Sequence, residues 1–224
     1  MTNIRYESFE NLDEAKKQSI INAGFKEFGR HGYKKASVEA IVKEANISKG
    51  SLFYYFESKK NFYIYLYEYC GTLMEKYIDS PDDGGAPSYM KFTDFFERVN
   101  AIQLLRMKHT IAYPNIFSYM KRAIFETEPS VRTEITKINE RYTKDRVMLF
   151  FQNLDYYKFK DGIDPAMVVQ LLAWCAEGCA NQVALMERSK DCSMNSSPNF
   201  DDIITMYQRY VDLLRNNFYK EEYL

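Results

Sequence analysis

Five large apolar side chains, Ile203, Tyr207, Tyr210, Leu214 and Phe218, recur at spacings of 4, 3, 4 and 4 near the end of the chain. Such a stripe fits one face of an α-helix and cannot lie along one face of a strand, where side chains alternate. Similar helical spacing recurs upstream, and no alternating run bounded by turn residues interrupts it. The chain is therefore expected to be all-α.

Capping and breaking residues divide the pattern. Asn11 or Asp13 offers a cap for a first helix with the stripe Ile20, Ile21, Gly24, Phe25 and Phe28, which Gly29 and Gly32 are expected to end. Ser37 caps a short helix reaching Ala45. Asn46 tolerates the left-handed conformation, so Asn46-Ile47-Ser48 reads as a tight turn into a short helix from Lys49 to Phe56. Ser58 then opens a long helix to about Tyr77. Residues 80–87 concentrate Pro, Gly and Asp and read as a loop or linker. Further helices are expected around 89–107, 116–125, 129–151, 165–188 and 200 to about 219, with a polar loop at 191–199. This divides the chain into a three-helix helix-turn-helix domain, residues 1–57, and a larger helical domain, residues 58–224, linked by the helix over 58–77.

Charge is divided unevenly along the chain. Overall it is −1, yet residues 1–62 hold 11 Lys and Arg against 8 Asp and Glu, net +3, leaving the remainder at −4. A polyanion would meet the N-terminal part first. The four cysteines, Cys70, Cys175, Cys179 and Cys192, and two histidines form no metal-ligand spacing, and no metal or cofactor is expected. Cys175 and Cys179 share a helix face and read as small hydrophobes. No nucleophile, base and orienting group converge in sequence, which argues against an enzyme. Residues 1–10 lack the apolar stretch of a signal peptide, and Gln170, Glu177, Asn181 and Gln182 interrupt the most apolar stretch, 166–186. A cytoplasmic protein that does not enter membranes is expected.

Two short helices joined by a tight turn within a basic segment suggest DNA recognition. A recognition helix enters the major groove N-terminus first, where free N–H groups and the helix dipole favour phosphate. There Ser48, Lys49, Gly50 and Ser51 are small or basic, and Gly50 permits close backbone approach. Lys49 is a candidate for base or phosphate contact and Ser51 for a base edge. Lys59 and Ser37, both at helix starts, are candidates for flanking phosphates. The alternative is that the lysines are solvated and the serines plain caps.

The segment from Phe28 to Phe62 resembles the DNA-binding signature of the tetracycline-repressor (TetR) family. The likeness rests on Gly32-Tyr33, Ser48-Lys49-Gly50, the aromatic run Phe53-Tyr54-Tyr55-Phe56 and Ser58-Lys59, all in register. The sequence departs from the family at Asn46, often Gly; at Phe53, usually Tyr, where a phosphate-reaching hydroxyl is lost; and at Tyr55, often His. Tyr54 and Tyr55 still offer hydroxyls, and Phe53 can serve the core or the contact surface.

The resemblance implies a homodimer paired through its last two helices, reading double-stranded DNA at a palindromic operator. It implies a small-molecule effector held among the preceding helices, whose binding releases the regulator, most simply a repressor. Small residues of the 165–188 helix permit close helix approach. Pocket candidates are Tyr63, Tyr67, Cys70 and Met74; Phe92, Phe96 and Val99; Phe117, Tyr119 and Met120; and Trp174, with core packing as the alternative for each. Met and Tyr linings suit an apolar or aromatic effector. Glu177 offers a partner for a cationic ligand or, alternatively, a seam or surface carboxylate. A regulator answering to a protein partner is the competing reading.

Overall fold

The computed structural model describes residues 6–76, 87–110, 113, 115–190 and 200–224. The expected loops at 80–87 and 191–199 lie outside the described residues, save Pro87, as does the side chain of Glu177. Among the described residues ten α-helices run in the order α1 Glu7–Glu10, α2 Glu14–Lys35, α3 Val38–Glu44, α4 Lys49–Phe56, α5 Lys59–Met74, α6 Phe95–Thr110, α7 Ile116–Ile124, α8 Pro129–Phe151, α9 Pro165–Lys190 and α10 Phe200–Phe218. The protein is all-α. Among the described residues, no helix is long and apolar enough to cross a membrane.

The chain divides into two compact units, Met1–Lys91 with Ala101–Gln152, and Phe92–Asn100 with Asn153–Leu224. In the first, four helix starts are fixed by side chains on free N–H groups. Asp13 accepts from Lys16 N, Ser37 from Ala40 N, Ser48 from Ser51 N and Ser58 from Asn61 N, at 2.9–3.2 Å. Asn46 adopts φ 52°, and Ile47 N donates to Val42 O at 3.0 Å, closing the turn between α3 and α4. Glu57 turns the chain from α4 into α5 with φ 62°.

The core of this unit is aromatic. Phe28 packs edge-on against Tyr63 with centroids 4.9 Å apart, and Phe9 meets Phe56 at 4.7 Å. Gly24 lets α2 press onto α5, because a Cβ there would lie 2.7 Å from both Leu66 Cδ1 and Phe62 Cζ.

The expectation that Gly29 ends the first helix is corrected. α2 runs through Gly29 and is broken only at Gly32, at φ 70° and ψ 174°, before a last turn to Lys35. Gly29 stays helical because its bare backbone faces Tyr119 N and Ser118 of α7 across a narrow gap. The conformation of Gly32 is essentially closed to residues with a Cβ. Gly32→Ala is expected to destabilise the first unit by about 1–3 kcal/mol, read as a shift of its denaturant midpoint.

In the second unit, Phe95, Phe96, Phe159 and Tyr219 form a ring cluster with centroids 4.9–6.3 Å apart. A single antiparallel bridge joins Phe159 to Tyr219, the only strand-like pairing among the described residues. Val168, Leu172 and Cys179 of α9 and Tyr207 and Val211 of α10 are buried. The helix expected around 89–107 is also corrected. A 3-10 turn occupies Ser88–Lys91, and α6 starts at Phe95 because Asp94 Oδ1 accepts from Phe96 N at 3.0 Å and Glu97 N at 3.1 Å.

Candidate nucleic-acid interface

α3, the Asn46 turn and α4 form a helix-turn-helix whose inner residues Ile41, Leu52 and Phe56 are buried. Burying that side leaves the opposite edge of α4 outward. Gly50 is exposed, with only Ser48 Oγ, at 3.7 Å, near the position of a Cβ. Ser48 and Ser51 join their hydroxyls at 2.8 Å while Ser48 caps the helix, so both are fixed at its N-terminus. Tyr54 is 72% exposed. Tyr55 is half-buried against Phe9, centroids 5.8 Å apart, and Phe53 is likewise half-buried.

Lys49, the first residue of α4, extends to Glu39 of α3, with Nζ 2.6 Å from Oε1, and lies over the Phe53 ring at 5.9 Å. Ser37 combines its capping role with a second anchor, since its N–H donates to Glu27 Oε1 at 2.8 Å. Lys59 is committed differently. Its ammonium donates to Ala36 O at 2.7 Å and Lys34 O at 3.3 Å and sits over the Tyr33 ring at 5.1 Å, tying α5 to the carboxyl end of α2. Burial lowers its pKa. Thus Ser48, Lys49, Gly50, Ser51 and Tyr54 share one outward edge, whereas Lys59 secures the scaffold behind it.

Three residues that spacing alone did not single out hold this scaffold. Glu39 pairs Lys49. From α7, Arg122 Nε donates to Gly29 O at 3.0 Å and Nη2 to Arg30 O at 3.1 Å. Glu126 Oε2 accepts from Tyr33 N at 3.2 Å. These bonds bracket the break at Gly32. They join residues 92 or 93 positions apart, beyond any local pattern, although Arg122 and Glu126 sit at i, i+4 beside the apolar face of α7.

The pocket candidates fall in both units. On α5, Tyr63, Tyr67 and Cys70 are buried and Met74 is half-buried; on α7, Met120 is half-buried and Phe117 is exposed. Tyr67 donates to Asn139 Oδ1 at 2.9 Å, and burial pushes its hydroxyl up to about 12. Tyr119 donates to Tyr63 O, while the fully buried Tyr63 hydroxyl has no hydrogen-bond partner among the described residues. Burial raises the Tyr63 hydroxyl and the Cys70 thiol, keeping both protonated at neutral pH. In the second unit Phe96 belongs to the ring cluster, Phe92 is half-buried and Trp174 is 58% exposed. A groove of about 430 Å³ on the first unit is lined by other residues, among them Lys60 and Glu134, whose ion pair is 2.7 Å long.

Residues 20–66, from the start of the first helix stripe to the middle of α5, match the family of bacterial regulatory proteins of the tetR type. In this segment the chain is similar to the regulators of the TetR family. It is similar to the transcriptional regulator AcuR of Cereibacter sphaeroides, 36% identical over 62 residues, a match spanning 28% of each chain. Two solved structures share the TetR-family fold. A TetR family transcriptional regulator from Chloroflexus aurantiacus is 19% identical, covering 96% of this chain and 98% of its own, with a TM-score of 0.61. The transcriptional regulator FadR from Bacillus subtilis, in complex with stearoyl-CoA, is 16% identical, covering 88% and 96%, with a TM-score of 0.57.

Proposed function

We propose that this TetR-family regulator grips duplex DNA through the outward edge of α4 and is released by a small, largely apolar effector bound elsewhere in the chain. The observation that carries the reading is the edge itself. A helix N-terminus with fixed hydroxyls, an exposed glycine, a lysine and an exposed tyrosine has the small size, donors and dipole that major-groove entry requires. Ser37, Tyr55 and Phe53 flank it, and Lys59 supports it from α5.

Two copies are needed to read a palindrome. α9 and α10 carry the exposed apolar side chains Met167, Trp174, Leu185, Tyr210 and Leu213, whose burial against a second copy supplies the dimer. Leu185→Glu with Leu213→Glu is expected to leave a folded monomer by light scattering that no longer retains a palindromic duplex. A dimer of unchanged stability contradicts the assignment.

Effector binding reaches the DNA edge through α5 and α7. α5 begins at the Lys59 tie and continues to Tyr67, Cys70 and Met74, about 24 Å for 16 residues. α7 carries Phe117, Met120 and the Arg122 bonds, and Glu126 follows just past its end, so a shift of either helix moves the end of α2 and the helix-turn-helix with it. The stearoyl-CoA complex of a protein with this fold supports an effector with an apolar acyl part. Coupling is reciprocal, so duplex DNA must weaken effector binding by the factor by which effector weakens DNA binding. Screening acyl and aromatic ligands for release of a fluorescent duplex, followed by calorimetry with and without that duplex, tests this. Equal ligand affinities in both titrations refute it.

A further inference from the structure

Glu39 stands in the first turn of α3, and both of its carboxylate oxygens are held. Oε1 accepts from Lys49 Nζ at 2.6 Å and Oε2 from Ser37 Oγ at 3.3 Å. Lys49 is flanked on its other side by the Phe53 ring. The pair is nevertheless presented outward, with side chains 53% exposed for Lys49 and 69% for Glu39. The Lys49 hydrogen bond holds the Glu39 carboxyl below the usual carboxylate range, so that carboxylate is ionised at neutral pH. An ion pair this exposed adds little to stability, and its effect falls instead on what α4 meets.

An unpaired lysine on a recognition helix attracts every phosphate, and each phosphate neutralised releases counterion without regard to sequence. A lysine cancelled by a carboxylate loses that general attraction while keeping N–H donors, and the carboxylate adds an acceptor beside them. In the major groove a G·C base pair displays the matching set, the O6 and N7 acceptors of guanine and the N4 amino donor of cytosine. We propose that Glu39 is a specificity-determining residue, which cancels the charge of Lys49 so that the two side chains together read a G·C pair instead of gripping phosphate. The proposal rests on the reading of α4 as the DNA-contacting helix.

The test compares the wild type, Glu39→Gln and the double variant Glu39→Gln with Lys49→Gln by fluorescence anisotropy across a salt series. The probes are a duplex enriched from a random pool by the wild-type protein and a scrambled duplex of equal length. Glu39→Gln is expected to bind the scrambled duplex about three- to tenfold more tightly, with a salt slope steeper by about 0.9, and to lose discrimination by a similar factor. Re-selection with this variant is expected to relax one G·C position per half-site. Lys49→Gln in the same background is expected to restore the shallower slope. Unchanged slope and discrimination in Glu39→Gln, equal weakening on both duplexes, or a steepening that persists without Lys49 each overturn the proposal while the DNA-binding reading stands. A wild type that binds neither duplex overturns both.

Discussion

Asp94→Ala is expected to destabilise the second unit by about 3 kcal/mol. The carboxylate is only 4% exposed and every part of it is used. Oδ1 caps α6, worth about 1 kcal/mol. Oδ2 pairs with Lys158 Nζ at 3.0 Å and Arg215 Nη2 at 3.5 Å, and removing it leaves two partly desolvated cations facing each other. Lys158 keeps Asp155 at 2.9 Å and Arg215 reaches solvent, which holds the loss below that of a fully buried pair. Asp94→Asn retains a capping acceptor and should recover about 1 kcal/mol. Trp174, the single tryptophan, lies on α9 in this unit and reports its unfolding by fluorescence. Coincident denaturation curves for wild type and Asp94→Ala would remove the network from the account.

The same network fixes a pH dependence. The Lys158 hydrogen bond holds the Asp155 carboxyl below its ordinary value of 3.8. Because its folded pKa is depressed, its contribution is present above that ordinary value and lost as pH falls through the folded one. The Lys158 ammonium is raised: burial pulls it down, but bonds to Asp155 and Asp94 outweigh this. Its contribution is complete below the ordinary lysine value and lost only as pH rises through the folded one. Between about pH 5 and 9 the network should therefore add a constant increment, with Trp174 melting temperatures falling first on the acid side, below about pH 4.

What local chemistry dictates was legible in the sequence. Asp13, Ser37, Ser48 and Ser58 cap their helices through their own short side chains, and Asn46 takes the left-handed turn; none of these needs a distant partner. Gly29 was misjudged because a glycine marks either a break or a close approach, and only the presence of α7 decides which. Asp94 was hidden because helical spacing extends smoothly across it from Tyr89. The tie of Lys59 to Lys34 O and Ala36 O spans 25 and 23 residues, so spacing showed this lysine at a helix start only as a candidate for a flanking phosphate. Aromatic spacing also cannot separate core from cavity. Tyr63 and Phe117 looked alike in sequence, yet one is wholly buried and the other 42% exposed.

Lys49→Ala is expected to weaken binding to a selected duplex by about 1–3 kcal/mol, roughly 5- to 150-fold, while leaving the fold intact. Two effects add. The ammonium donors of Lys49 are lost, and Glu39 is left as a carboxylate without its lysine facing a polyanion, which should also flatten the salt slope by about one unit. Lys59→Met, by contrast, should act mainly by loosening α5 from α2, costing about 1 kcal/mol of stability.

The central claim, that the edge of α4 grips duplex DNA, is tested most directly by the salt dependence of wild-type binding to a duplex enriched from a random pool. The expected result is a near-palindromic consensus with half-sites about one helical turn apart, and an association constant that falls by several powers of the salt concentration. No enrichment, or an affinity independent of salt, would contradict it.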